Sequence, residues 1–157
     1  MAVILENTHP QSFWLRGDQS LNFDPSAFVA EQELIDALAR RSASITCAEE
    51  RVLFKQGDSP AGLYILRKGK AGLTMQSATG TIIMSVLASP GSLLGLPALV
   101  GNEPYTLTAI AFKGAELGYV TREDFSGLMI TEPAIATKVL RVLAAEVRTA
   151  RRALTEF

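Results

Sequence analysis

Glycine placement constrains this chain more than any other feature. Between Ile45 and Val120 it runs in short β-rich segments, Val52 to Phe54, Leu63 to Leu66, Leu73 to Met75, Thr81 to Leu87, Thr106 to Ala111 and Leu117 to Val120. Ten of the twelve glycines lie in that interval. Gly57, Gly69, Gly80, Gly91, Gly101 and Gly114, taken as turn markers, are separated by 12, 11, 11, 10 and 13 residues. That is the rhythm of strands joined by tight turns in an antiparallel sandwich or barrel. A helical reading would have to absorb a breaker in nearly every third turn.

The flanks read differently. Residues 1–25 mix polar, aromatic and turn-forming residues, interrupted by Pro10, Gly17 and Pro25, and are expected to form a loosely ordered arm. Ser26 is the expected cap of a helix reaching about Arg41, with Phe28, Ile35 and Leu38 on one stripe. After Val120 the helical period returns, with Thr121 as cap and Asp124 three residues on, followed by Phe125, Leu128 and Met129. A final helix is expected over about 131–157. In it Ala136, Leu140, Leu143, Val147, Ala150 and Leu154 are spaced 4, 3, 4, 3 and 4, the period of a seam between helices. Ile135, Val139 and Val142 form a second apolar flank. A helix with two such flanks can lie on its own domain with one and on a second copy with the other, so a homodimer is expected. The architecture expected is therefore mainly β with flanking α: an arm over 1–25, then one domain over 26–157 whose β part spans about 42–120.

Composition narrows the chemistry. A formal net charge of -1 supplies no field for gathering nucleic acid. One cysteine, Cys47, and one histidine, His9, can build neither an internal disulfide nor a zinc site of the usual nitrogen and sulfur ligands. Ser85, Ser89 and Ser92 have no histidine partner nearby, and Glu49-Glu50 and Glu123-Asp124 read as exposed turns and caps. No catalytic residue and no metal ligand is expected, and the chain is expected not to be an enzyme. Haem or iron bound through His9 or Cys47 is the less favoured alternative to a solvated histidine and a small buried thiol. The apolar start, Ala2 to Leu5, is too short for a signal peptide or a span, so a cytoplasmic protein without membrane contact is expected.

The most informative stretch is Gly91 to Ala111, GSLLGLPALVGNEPYTLTAIA, which reads as strand, short helix, turn, strand. Together with Val52-Leu53-Phe54, Gln56-Gly57-Asp58, Gly62-Leu63-Tyr64-Ile65, Gly69, Pro90-Gly91, Gly95 and Ala98-Leu99, it resembles the cyclic-nucleotide-binding domain of the catabolite activator and Fnr family of bacterial regulators. The resemblance covers about residues 25–157. It implies an eight-stranded jelly roll (a double-stranded β-helix) with an N-terminal helix and a long C-terminal helix that forms the dimer contact. It also implies a ligand pocket lined by a phosphate-binding cassette. Family regulators usually continue into a helix-turn-helix that reads DNA. This chain stops at Phe157, so sequence-specific DNA binding by the chain itself is not expected.

Two positions depart from the family's nucleotide-binding pattern. Gly95-Leu96 stands where the pattern has Gly-Glu, whose carboxylate takes the ribose hydroxyl. Tyr105-Thr106 stands where it has an arginine and a small residue that pair with the cyclic phosphate. Between Ala71 and Phe112 the only charged residue is Glu103. A hydrogen bond to a charged group contributes roughly 1.5 to 3 kcal/mol, so losing two would weaken binding by orders of magnitude. The expectation is a degenerate pocket with Leu96, Tyr105 and Leu107 in place of a charge pair, and a less anionic ligand if any. Gly95, Leu96, Pro97, Ala98, Tyr105, Thr106, Leu107, Arg148 and Arg152 are the candidate ligand-binding residues. Pro97 and Pro104 also have a purely conformational explanation, as a helix start and a turn.

Residues 133–157 carry five cations against two carboxylates, a net +3, and leave the remainder at -4. That asymmetry reads first as a solvated face near the helix C-terminus, next as contact with an acidic partner, and third as Arg148 or Arg152 replacing the missing phosphate ligand. The function expected is a non-enzymatic regulatory module that senses a ligand and signals through its paired final helices to a protein partner. No cofactor is expected beyond a cyclic nucleotide or other small molecule. The alternatives are a true cyclic-nucleotide receptor that uses backbone N–H groups and the Thr106 hydroxyl, and a structural interaction domain with no ligand.

Overall fold

The computed structural model describes residues 23–155. Eight strands, β1 Ala43–Thr46, β2 Arg51–Phe54, β3 Gly62–Lys68, β4 Ala71–Gln76, β5 Ile82–Ala88, β6 Leu93–Leu94, β7 Thr108–Ala111 and β8 Glu116–Thr121, form two four-stranded sheets of order β1-β8-β3-β6 and β2-β7-β4-β5. Every pairing within them is antiparallel. The helices are α1 Gln32–Ala39, α2 Leu96–Gly101, α3 Arg122–Thr131 and α4 Pro133–Thr155. This is the jelly roll with flanking helices that the glycine rhythm and the family resemblance implied. No described helix is long and apolar enough to cross a membrane.

Five of the six turn glycines adopt the positive φ that makes a side chain costly. Gly101 does not: it ends α2 in helical conformation, and Asn102 (φ 53) takes the left-handed cap in its place. β1, with the sequence ASIT and mostly exposed, is a strand that the apolar runs did not mark.

Two large cores and a smaller apolar cluster around Ile110 and Phe112 hold the described residues together. Phe54, Tyr64, Leu66, Leu73, Met84 and Leu94 pack between the sheets in the roll's interior. Leu63, Ile65, Leu93 and Val120 turn outward from the other face of the first sheet, onto Leu34, Leu38, Phe125, Leu128, Ile135, Val139 and Val142 of the helices. β3 therefore buries both faces, which is why Gly62 to Leu66 reads as one apolar run without alternation. Cys47 lies in the inter-sheet core, where burial pushes its thiol up.

The helix expected over residues 26–41 is broken. Asp24, not Ser26, caps a single 3-10 turn over Pro25–Phe28 by accepting the Ser26 N–H. Val29 is then extended and bridges Ser92, and the Ala30 N–H donates to the Gly91 carbonyl at 3.0 Å. α1 starts only at Gln32, so the expected stripe divides: Phe28 enters the inter-sheet core, while Leu38 and the half-buried Ile35 join the outer one. Of the arm expected over 1–25, residues 1–22, and with them His9, lie outside the described residues.

α3 begins as read, with the Thr121 hydroxyl accepting the Asp124 N–H at 3.1 Å. It takes in Thr131, so the final helix opens at Pro133, where a missing N–H costs nothing. α4 buries Ile135, Val139, Val142 and Ala153, while Leu140, Val147 and Leu154 on its other flank stand exposed at 62%, 48% and 64%. Two of its cations are engaged within the domain. Lys138 and Arg141 both donate to the Glu31 carboxylate, at 3.1 and 3.2 Å, and hold it below its ordinary value. Arg41 reaches Glu132 at 3.3 Å, a second tie between the α1 and α4 ends of the helical layer.

Candidate functional site

α2 and the turn behind it are positioned by backbone geometry. Gly95, the α2 N-cap, has φ +94, and a Cβ there would lie 2.9 Å from Tyr105 Cε1 and 3.3 Å from Phe54 Cε2. Only glycine lets the two rings close over this point. Tyr105 lies on Phe54 with ring centroids 4.0 Å apart and planes at 13°. Its hydroxyl donates to the Gly62 carbonyl at 2.7 Å. Its N–H donates to the Asp58 carbonyl at 2.9 Å, and its own carbonyl accepts the Gly57 N–H at 2.8 Å. Tyr105 is thus stitched along its length to the β2–β3 connection.

Beneath it lies a cavity of about 30 Å³. A buried water needs roughly 10 to 15 Å³ on this measure, so the space holds about two atoms of that size. Gly95, Pro97, Ala98, Tyr105, Thr106 and Leu107, six of the nine candidate residues, line it. Leu96 does not. It is fully buried in the outer core among the helices, because the left-handed Gly95 turns the next side chain away from the roll. Arg148 and Arg152 are exposed on α4 and are not among the lining residues. Arg152 lies near enough to Asp24 to help lower its carboxyl, whose main cause is the Ser26 backbone N–H. No lysine or arginine lines the cavity.

Sequence reasoning missed the apolar wall formed by Phe28, Phe54, Leu73, Leu93 and Leu94, and it missed Glu146. Glu146 reaches the cavity from α4, and its Oε2 is shielded from solvent without a hydrogen-bond partner. Burial alone pushes its carboxyl up to about 8, so the group is mostly neutral at pH 7. The signal was present in the spacing. Ile135, Val139, Val142 and Glu146 follow one another at 4, 3 and 4 residues, which places the carboxyl on the buried flank. Chemically the arrangement offers an apolar, aromatic-walled recess with one carboxyl, one hydroxyl on Thr106, and no fixed positive charge.

Comparison with known proteins agrees with the fold. Residues 45–132 match the family described as the cyclic nucleotide-binding domain. The chain is 31% identical over 98 residues to the cyclic AMP receptor protein of Thermus thermophilus, an overlap covering 62% of this chain and 45% of that one. It superposes on the crystal structure of the Thermus thermophilus catabolite activator protein with a TM-score of 0.69 and 26% identity, covering 84% of this chain and 62% of the other. The N-terminal domain of a transcriptional regulator from Streptomyces coelicolor A3(2) matches with a TM-score of 0.60 and 27% identity, over 87% of this chain and 94% of that one. The chain therefore spans less than two thirds of the two Thermus proteins.

The buried carboxyl makes stability depend on pH. With its folded value near 8 and an ordinary value of 4.5, the folded state keeps a proton that the unfolded chain releases. Its contribution is intact below about pH 4.5 and is lost as pH rises towards 8, at a slope of at most about 1.4 kcal/mol per unit. Denaturant titrations should show Glu146→Gln losing that slope and surpassing the wild type at pH 8. Parallel profiles for the two proteins would mean that the carboxyl is solvated.

Proposed function

The chain belongs to the cyclic nucleotide-binding domain family, and on that premise we propose that it is a non-enzymatic ligand-sensing module whose pocket has lost its grip on a cyclic phosphate. The observation that carries this reading is a cavity of about 30 Å³ under the Phe54–Tyr105 pair, with no lysine or arginine in its lining. Pockets for small organic ligands run to roughly 300 to 1,000 Å³. Admitting a nucleotide here requires Tyr105 to leave its ring partner and its bond to Gly62, and no cationic side chain lines the cavity to offset that loss. An aromatic pair contributes roughly 0.5 to 1.5 kcal/mol beyond its buried area, and a hydrogen bond about 1 kcal/mol. Opening is therefore a modest cost, and the missing guanidinium is the larger defect.

The signal would pass through α4. One flank of this helix packs on the domain and touches the cavity through Glu146, while the opposite flank presents Leu140, Val147 and Leu154 to solvent. That second flank is the proposed homodimer seam. Ligand occupancy would shift the population of paired-helix arrangements, and a regulatory protein partner would read the change. The exposed Arg148, Arg151 and Arg152 give such a partner a basic surface.

Two measurements test this. Calorimetric titration with cyclic AMP and cyclic GMP should give no submicromolar binding, and submicromolar affinity for either would establish the authentic-receptor alternative. Sedimentation at micromolar concentration should show a dimer that Leu140→Arg converts to monomer, whereas a monomeric wild type would remove the seam.

A further inference from the structure

Among the described residues, Glu146 carries the buried side-chain oxygen that has no hydrogen-bond partner. Other carboxylates of the domain have evident work: Glu31 joins Lys138 and Arg141, Glu132 joins Arg41, and Asp24 caps a turn. Glu146 instead points inward, with an oxygen that meets neither solvent nor a donor. Leaving a buried polar atom unmatched is costly, and native structures rarely tolerate it without a use. The cavity it faces has room for about two heavy atoms. Of the lining side chains only Glu146, Thr106 and Tyr105 carry a polar atom, and the Tyr105 hydroxyl is already committed to Gly62. Glu146 supplies the only carboxyl among them. The turn over Pro25–Phe28, β4, β6 and α2 contribute none to the lining, and Tyr105 is the other titratable side chain there. The recess therefore has the polarity opposite to a phosphate site: aromatic and aliphatic walls around one carboxyl.

We propose that this cavity binds a small primary amine, held as its ammonium by Glu146 beside the Phe54–Tyr105 ring pair. The inference rests on the ligand-sensing reading above and assigns that ligand's chemical class. An ammonium supplies the donors that Oε2 lacks, its charge is matched by the carboxylate, and aromatic walls favour cations. Methylammonium, with two heavy atoms, fits the space as it stands. Longer amines fit once Tyr105 swings aside. Because Glu146 projects from α4, the bound amine is held directly by the helix proposed to carry the signal.

Binding has a proton signature. The unoccupied carboxyl is protonated near neutral pH, so each ammonium that binds displaces one proton from Glu146 to the buffer. The proton count should approach one at pH 6.5 and vanish near pH 9, where Glu146 is already ionised and methylammonium keeps its own proton.

The test is calorimetry in two buffers of different ionisation enthalpy, with melting curves alongside. The probes are methylammonium, its uncharged isostere methanol, formate as the anion, and tetramethylammonium as an oversized cation at equal ionic strength. The proposal expects methylammonium alone to bind with proton release, and Glu146→Gln to weaken it at least about tenfold. The wild-type proton count keeps the test decisive should the variant fold poorly. Methanol and methylammonium acting equally on both proteins would overturn the amine while leaving a ligand-sensing cavity. A cavity that none of these probes enters would overturn the amine as well, and tight cyclic AMP binding alongside would remove with it the reading that the pocket has lost its grip on a cyclic phosphate.

Discussion

Two rings stacked 4.0 Å apart, Phe54 from β2 and Tyr105 from the turn after α2, govern what the interior of this roll can hold. Their closure depends on Gly95, where a single methyl group would strike Tyr105, and on the Gly62 carbonyl that takes the Tyr105 hydroxyl. These contacts join the α2 turn to the β2–β3 connection and reduce the space beneath to about 30 Å³. The fold supplies the concavity of a nucleotide-binding domain, and the side chains at two positions decide how little of it stays open.

The helical layer is tied to the same place. α4 lies on α1 and α3 through Ile135, Val139 and Val142, and Glu31 clamps it through Lys138 and Arg141. One further turn along the same buried flank, the apolar stripe is interrupted by Glu146, whose side chain enters the cavity. A change in the cavity therefore bears on α4 through a contact between neighbours, with no long chain of intermediates. The exposed seam of Leu140, Val147 and Leu154 lies on the other side of the same helix.

Much of this was legible in the residues. Glycine spacing marked the strands and turns, because five of the six marker positions require a backbone that other residues resist. The Thr121 cap and the two apolar flanks of α4 were equally plain. Tertiary context decided the rest. A bridge from Val29 to Ser92 divides the expected N-terminal helix, a long-range pairing that local propensity does not encode. Leu96 looked like a pocket residue by position, yet the left-handed turn at Gly95 sends it into the other core. Glu146 enters the sequence reading only as one of the two carboxylates in the charge balance of residues 133–157, although its spacing from Val139 and Val142 places it inward.

A carboxyl shielded from solvent, in a cavity with no lysine or arginine in its lining, sets this recess apart. A carbon-detected NMR titration of the Glu146 side chain, on protein labelled at glutamate and assigned with Glu146→Gln, measures this directly. A midpoint near 8 is the value that burial dictates, and a midpoint near the ordinary 4.5 of an exposed glutamate would contradict the account.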